Sequence, residues 1–210
     1  MTNISTFFET LKWALTSTWP MLVLFITILS VVRFANLYNN HEKFVFYKDF
    51  YRLLGILYIL LLYYLLLSTE GASSGINWIP FREMTRYSIG SKSFMYNVLG
   101  NILLFIPFGF FLSDTIKANK ASEILICTII ISLTAEIIQY RIGRAFDVDD
   151  IILNTFGSLL GYWSYKSLKY IGQKLPKVLQ NNIFYNILAT IVLIIIVLIL
   201  AEALVGIGWF

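Results

Sequence analysis

From Ile183 to Ala201 no charged side chain occurs. A run of that kind constrains the fold strongly, because the hydrocarbon core of a bilayer is crossed by a helix of about 20 mostly apolar residues. Backbone groups in lipid must also be satisfied within their own segment, which leaves helices as the structure such a run can take. Five further stretches read the same way: about Trp19 to Leu37, Tyr51 to Leu67, Asn97 to Leu112, Ala121 to Tyr140, and Asp150 to Tyr165. The last of these five is the shortest and least apolar. Pro107 and Gly109 are expected to kink or end the helix that holds them.

Composition points the same way. Hydrophobic residues make up 58% and charged residues 13% of the chain, with a mean hydropathy of +0.75. A soluble domain carries nearer a quarter charged residues, so the fold class is all-α: a polytopic transmembrane helical bundle of about six spans. Residues 1–18 hold one lysine and no small-residue cleavage site after the first apolar run, so that run is expected to remain and to serve as the targeting signal. Cys127 has no partner for an intramolecular disulfide, and His41 has no second histidine or cysteine for a zinc site. No metal or other cofactor is implied. The formal charge of +4 is spread along the loops without a basic, aromatic-interleaved patch, so nucleic acid is not an expected partner. Membrane lipids are.

Lysines and arginines also bear on orientation. With six spans, one side holds Arg33, Lys43, Lys48, Arg52, Lys117, Lys120, Lys166, Lys169, Lys174 and Lys177; the other holds Lys12, Arg82, Arg86, Lys92, Arg141 and Arg144. The positive-inside rule puts the richer set in the cytoplasm. Both termini, the segment around Pro80 and the acidic segment after Arg144 are then expected outside.

Polar groups in so apolar a chain call for a reason. Glu136 sits in the fourth span with Gln139 on nearly the same face. An ionisable group near hydrocarbon faces the bundle interior and marks a functional site unless it is paired; here Arg141 and Arg144 are candidate partners, so site and clamp both stand. Asp147, Asp149 and Asp150 open the fifth span. Helix capping and salt bridging account for one or two acids there and rank first; the remainder suits a surface patch for a cationic or sugar-phosphate headgroup, bound directly or through a divalent cation on oxygen ligands. Asn154, Gly157 and Gly161 form a stripe with a Gly-x-x-x-Gly step, and Asn97, Gly100 and Asn101 do the same in the third span, which suits close packing of the two helices with their amides paired. Between the second and third spans, Trp78, Ile79, Phe81 and Tyr87 interleave with Arg82 and Arg86, a mixture that fits headgroup level.

Four motifs occur in order: N-W-I-P-F from Asn77, N-V-L-G-N-I-L-L-F-I-P-F-G from Asn97, E-I-I-Q from Glu136, and R-A-F-D-V-D-D-I-I-L-N-T-F-G-S-L-L-G-Y from Arg144. Together they resemble the VanZ-like family of bacterial membrane proteins, named for a teicoplanin-resistance factor. The resemblance covers roughly Tyr51 to Tyr165. It carries over Pro80, Phe81, Asn97, Gly100, Asn101, Pro107, Gly109, Glu136, Gln139, Arg144, Asp147, Asp150, Asn154 and Gly157. The chain is read as an N-terminal helix and loop (1–50), a VanZ-like core (51–165), and a basic loop with a C-terminal helix (166–210).

What the resemblance implies is lowered susceptibility to teicoplanin-type lipoglycopeptides, which act at the outer membrane surface on cell-wall precursors. It implies no established reaction, and no catalytic motif is present, so the reading favours a protein that is not an enzyme. The expected ligand-binding set is Arg82, Arg86, Asn97, Asn101, Glu136, Gln139, Arg144, Asp147, Asp149, Asp150 and Asn154, with the lipid-tailed antibiotic or a lipid-linked cell-wall precursor as ligand. Two alternatives stand beside it: a membrane enzyme or transporter acting on a lipid-linked glycan, and a helix-packing scaffold for envelope enzymes. The expected location is the bacterial cell membrane, multi-pass, with the polar cluster on the outer face.

Overall fold

The computed structural model describes residues 3–67 and 75–205. Eight helices follow in order: α1 (Asn3–Asn40), α2 (Phe46–Leu67), α3 (Arg82–Arg86), α4 (Lys92–Phe94), α5 (Gly100–Thr115), α6 (Ala121–Arg141), α7 (Val148–Lys174) and α8 (Asn182–Val205). A π-helical turn, Met95–Leu99, joins α4 to α5, and the strands β1 (Ile76–Asn77) and β2 (Phe146–Asp147) are two residues each. The fold is all-α.

Among the described residues five helical segments are long and apolar enough to cross a membrane: Trp13–Asn40, Phe46–Leu67, Asn97–Thr115, Ala121–Arg141 and Asn182–Glu202. The remaining expected span lies in α7, which has the length at 27 residues but carries Asp149, Asp150, Asn154 and two further lysines before its last turn. Helix α5 passes through Pro107 and Gly109 and ends at Thr115, so the helix does not stop at the proline. A proline removes one hydrogen bond and crowds the preceding turn; the helix is held on both sides of it by packing, as shown below.

The chain divides into two compact units, Lys12–Leu61 with Ile171–Phe210, and Met1–Leu11 with Leu62–Tyr170. In the first, Arg33 donates to Asp49 at 2.8 Å and to Glu42 at 2.9 Å, which closes the turn between α1 and α2. The backbone N–H of Tyr47 donates to Asn186 Oδ1 at 3.0 Å, and the Tyr47 and Tyr185 rings lie 5.3 Å apart, tying the start of α2 to α8. None of the most apolar window of α8 is buried within the protein, as suits a helix whose solvent is lipid.

The second unit holds α5, α6 and α7. Its closest contact is between α5 and α7. A Cβ added to Gly157 would stand 2.3 Å from the Ile102 carbonyl oxygen, one on Gly161 2.1 Å from that of Ile106, and one on Gly109 2.0 Å from that of Ser158. Backbone meets backbone along this line, which only glycine permits. The expected packing stripe on α7 is therefore seated, but its partner on α5 is Gly109. Gly100 meets only its own chain at Met95. Below this contact Ile124, Ala118 and Tyr162 form a buried cluster flanked by Leu112 and Ala121.

Candidate functional site

Residues 142–147 turn the chain from α6 into α7, and β2 within that turn pairs in parallel with β1, Ile76 beside Phe146 and Asn77 beside Asp147. The Phe146 N–H donates to the Gly75 carbonyl at 3.0 Å, and the Trp78 and Phe146 rings lie 4.6 Å apart. This short ladder fastens the N-W-I-P-F segment to the mouth of α7. Asn77 then does double duty. Its Nδ2 donates to Asp147 Oδ1 at 2.8 Å, and its Oδ1 accepts the Ile79 N–H at 3.2 Å.

The three aspartates have three different tasks. Asp147 Oδ1 accepts the Asp149 N–H at 2.8 Å, the bond of a helix N-cap. Burial pushes the Asp147 carboxyl above its ordinary range, against the opposing pull of the Asp149 N–H and the Asn77 amide. Asp149 is 1% exposed. Its carboxylate reaches across to α3, where Oδ1 accepts the Phe81 N–H at 2.5 Å and Oδ2 accepts those of Glu83 at 2.8 Å and Met84 at 3.2 Å. Both oxygens are thus taken by the start of a neighbouring helix, and Phe81 is held in the left-handed region at φ 66°. Asp149 builds the frame rather than facing a ligand. Asp150, half-buried, accepts from Asn101 Nδ2 at 2.6 Å and lies within electrostatic reach of Glu136, Asp147 and Arg144.

Glu136 is 2% exposed and accepts the Asp147 N–H at 2.8 Å. Among the described residues no ion pair joins it to Arg141 or Arg144. The clamp takes another form: Gln139 Nε2 at 2.7 Å and Arg144 Nη1 at 3.1 Å both donate to the Leu66 carbonyl at the end of α2. These bonds satisfy a carbonyl that the helix end leaves open.

The other expected residues divide. Asn101 joins the acidic group, and its Nδ2 also donates to the Asn97 carbonyl. Asn97 is exposed and donates to its own helix at Ser93. Asn154 is 2% exposed and donates to Ser132 Oγ on α6 at 2.9 Å, so the asparagine amides do not pair with each other. Arg82 is exposed, and Arg86, 71% exposed, lies 3.3 Å from Glu83 on the same short helix. Asn77 and Ser132 were not among the expected residues. Asn77 had a signal in the sequence, standing in the quoted motif one residue from Trp78, whereas Ser132 is one small hydroxyl in an apolar helix.

The result is a patch where Glu136 of α6, Asp147 of β2 and Asp150 of α7 converge, with Asn101 supplied by α5 and Arg144 nearby. Carboxyl groups outnumber the guanidinium, so the patch presents more hydrogen-bond acceptor oxygens than donors. Among the described residues no three histidine, cysteine, aspartate or glutamate side chains are grouped to hold a metal ion.

The profile of the VanZ/LLP1 family matches residues 50–170, which takes in every residue of this patch. Protein VanZ of Enterococcus faecium is 37% identical over 101 residues, 47% of this chain and 61% of that protein. The chain thus spans about three fifths of that relative's length. No solved structure matches. With more than half of its length matched by the profile, the chain belongs to the VanZ/LLP1 family.

Proposed function

We propose that this multi-pass membrane protein lowers susceptibility to teicoplanin-type lipoglycopeptides by engaging an amphiphile, the lipid-tailed antibiotic or a lipid-linked cell-wall precursor, at the outer membrane surface. The observation that carries the reading is the convergence of Glu136, Asp147 and Asp150 with Asn101 at the junction of α5, α6 and α7, inside the matched family region. So many polar groups beside lipid are costly, and such groups mark function. In this reading Asp150 and Glu136 accept from ligand ammonium or hydroxyl groups, Asn101 and Asp147 fix their positions, and the exposed Arg82 meets anionic groups at headgroup level. Asp149 contributes by holding α3 and its arginines in place. The exposed Trp78, Ile79 and Phe81 on this segment suit contact with an acyl tail.

The test is binding to wild-type protein in nanodiscs, with teicoplanin, vancomycin and a lipid-linked wall precursor as separate ligands. Teicoplanin or the precursor binds, and the pair of substitutions Glu136→Gln and Asp150→Asn removes that binding while leaving the thermal midpoint in place. Binding of neither lipid-tailed ligand, or equal binding by the doubly substituted protein, contradicts the reading.

A further inference from the structure

The acidic patch continues inward as a polar seam. Steps of four residues on α6 lead from Glu136 to Ser132, Thr128 and Ile124, and steps of four on α7 lead from Asp150 to Asn154, Ser158 and Tyr162. Residues four apart share a helix face. The two helices meet in this register, since Asn154 Nδ2 donates to Ser132 Oγ and Ile124 packs with Tyr162. Thr128 and Ser158 therefore lie at the same level between those contacts. All four polar residues of the seam are buried: Ser132, Thr128 and Ser158 at 0% exposure and Asn154 at 2%.

Asn154 Oδ1, Thr128 Oγ1 and Ser158 Oγ have no hydrogen-bond partner in the protein. Other hydroxyls on α5, α6 and α7 find the carbonyl four residues back, as Ser113 does at Gly109, Thr134 at Ile130 and Ser164 at Leu160, while Thr155 Oγ1 on α7 is, like those of the seam, without a partner. Thr128 and Ser158 do not take this ordinary bond. Three unsatisfied oxygens on one line, in a helix pair beside lipid, are expensive to leave bare. Their chemistry selects the ligand. A bare cation meets the Asn154 oxygen but leaves the two hydroxyl protons without acceptors, whereas water both donates and accepts.

We propose that the α6–α7 seam is a water-binding site, filled from the Glu136 and Asp150 end and closed at its inner end by Ile124 and Tyr162. Water at the level of Asn154 and Ser158 gives the buried Glu136 carboxylate a hydrated neighbour on its inner side as well as at the patch. The inference rests on the unsatisfied oxygens and the helix register, and it holds whichever ligand the patch takes.

Silver ion is a suitable probe, being small and reacting with the thiolate, a form that a thiol takes up in water and not in lipid. Ser158→Cys and Thr128→Cys are each placed in a Cys127→Ser background in native membranes, with the lipid-facing Phe156→Cys as reference. Blocking by silver is read as protection from maleimide after denaturation. Both seam cysteines are expected to be blocked at least about tenfold faster than Phe156→Cys, and Asn154→Leu is expected to slow blocking at Ser158→Cys. Rates equal to that of Phe156→Cys overturn the proposal. Water-edited solid-state NMR of the unsubstituted protein in proteoliposomes reads the same site where a cysteine variant does not fold. Polarisation transfer from water to the Thr128 and Asn154 side chains is expected, and its absence counts against bound water.

Discussion

Removing the Asp149 carboxylate is the perturbation whose effect follows most fully from the geometry. Asp149→Ala leaves the N–H groups of Phe81, Glu83 and Met84 without their acceptor at the first turn of α3. A hydrogen bond to a charged group contributes about 1.5–3 kcal/mol net. The three bonds share one carboxylate, and two share one oxygen, so their losses do not add. Between one and two such bonds are lost in effect, about 2–4 kcal/mol. Phe81 adds to the local drive toward opening, because a bulky residue in the left-handed region is strained and stays there only while its surroundings hold it. At about 1.4 kcal/mol per tenfold, amide protection at 81, 83 and 84 falls by roughly 30- to 700-fold. Hydrogen exchange by mass spectrometry on reconstituted protein reads this directly, and Asp149→Asn, which keeps one oxygen, should fall between wild type and Ala. Exchange at these three amides within about threefold of wild type in Asp149→Ala would refute the argument that the carboxylate holds α3.

Gly161→Ala puts a Cβ 2.1 Å from the Ile106 carbonyl oxygen and is expected to cost at least about 1–3 kcal/mol, read as a lower thermal midpoint in detergent. Gly172→Ala on the same helix meets nothing within 4 Å and should be neutral or stabilising by up to about 1 kcal/mol. Asp147 has a raised folded-state pKa, so the unfolded chain gives up this proton first. Its effect on stability is absent below the unfolded value near about 4 and grows as a penalty while pH rises through the raised value. Asp147→Asn retains an oxygen for Asn77 and for the Asp149 N–H, and it should flatten that part of the stability-against-pH curve, seen as a smaller fall in midpoint between acid and neutral pH. Asn101→Leu removes the donor to Asp150 while leaving the α5–α7 glycine contacts intact, and is expected to weaken ligand binding more than it lowers the thermal midpoint.

The span pattern was legible because it rests on composition alone: a helix that turns apolar side chains to lipid must announce itself over some twenty residues. The α7 glycine stripe was legible for a similar reason, since small residues four apart have few other uses beside lipid. The tasks of the three aspartates were not. Nothing in D-V-D-D tells which carboxylate reaches across to another segment, and Asp149 was drawn to α3 only because the β1–β2 ladder brings Phe81 to it. Glu136 is legible as an acid that must turn away from lipid, but its partner is a backbone N–H, and backbone donors leave no trace in a sequence. The glycine that α7 meets on α5 likewise depends on helix register, which the sequence offers as Gly100 and Gly109 alike.

In the proposed function the patch at Glu136 and Asp150 is what confers protection. The most direct measurement is the teicoplanin susceptibility of a sensitive host expressing wild-type protein or Asp150→Asn at matched membrane levels, with vancomycin beside it. The account predicts that Asp150→Asn returns teicoplanin susceptibility to that of the host without the protein, while vancomycin susceptibility is the same in all three strains. Protection by Asp150→Asn equal to wild type, with the protein folded and present, would contradict it.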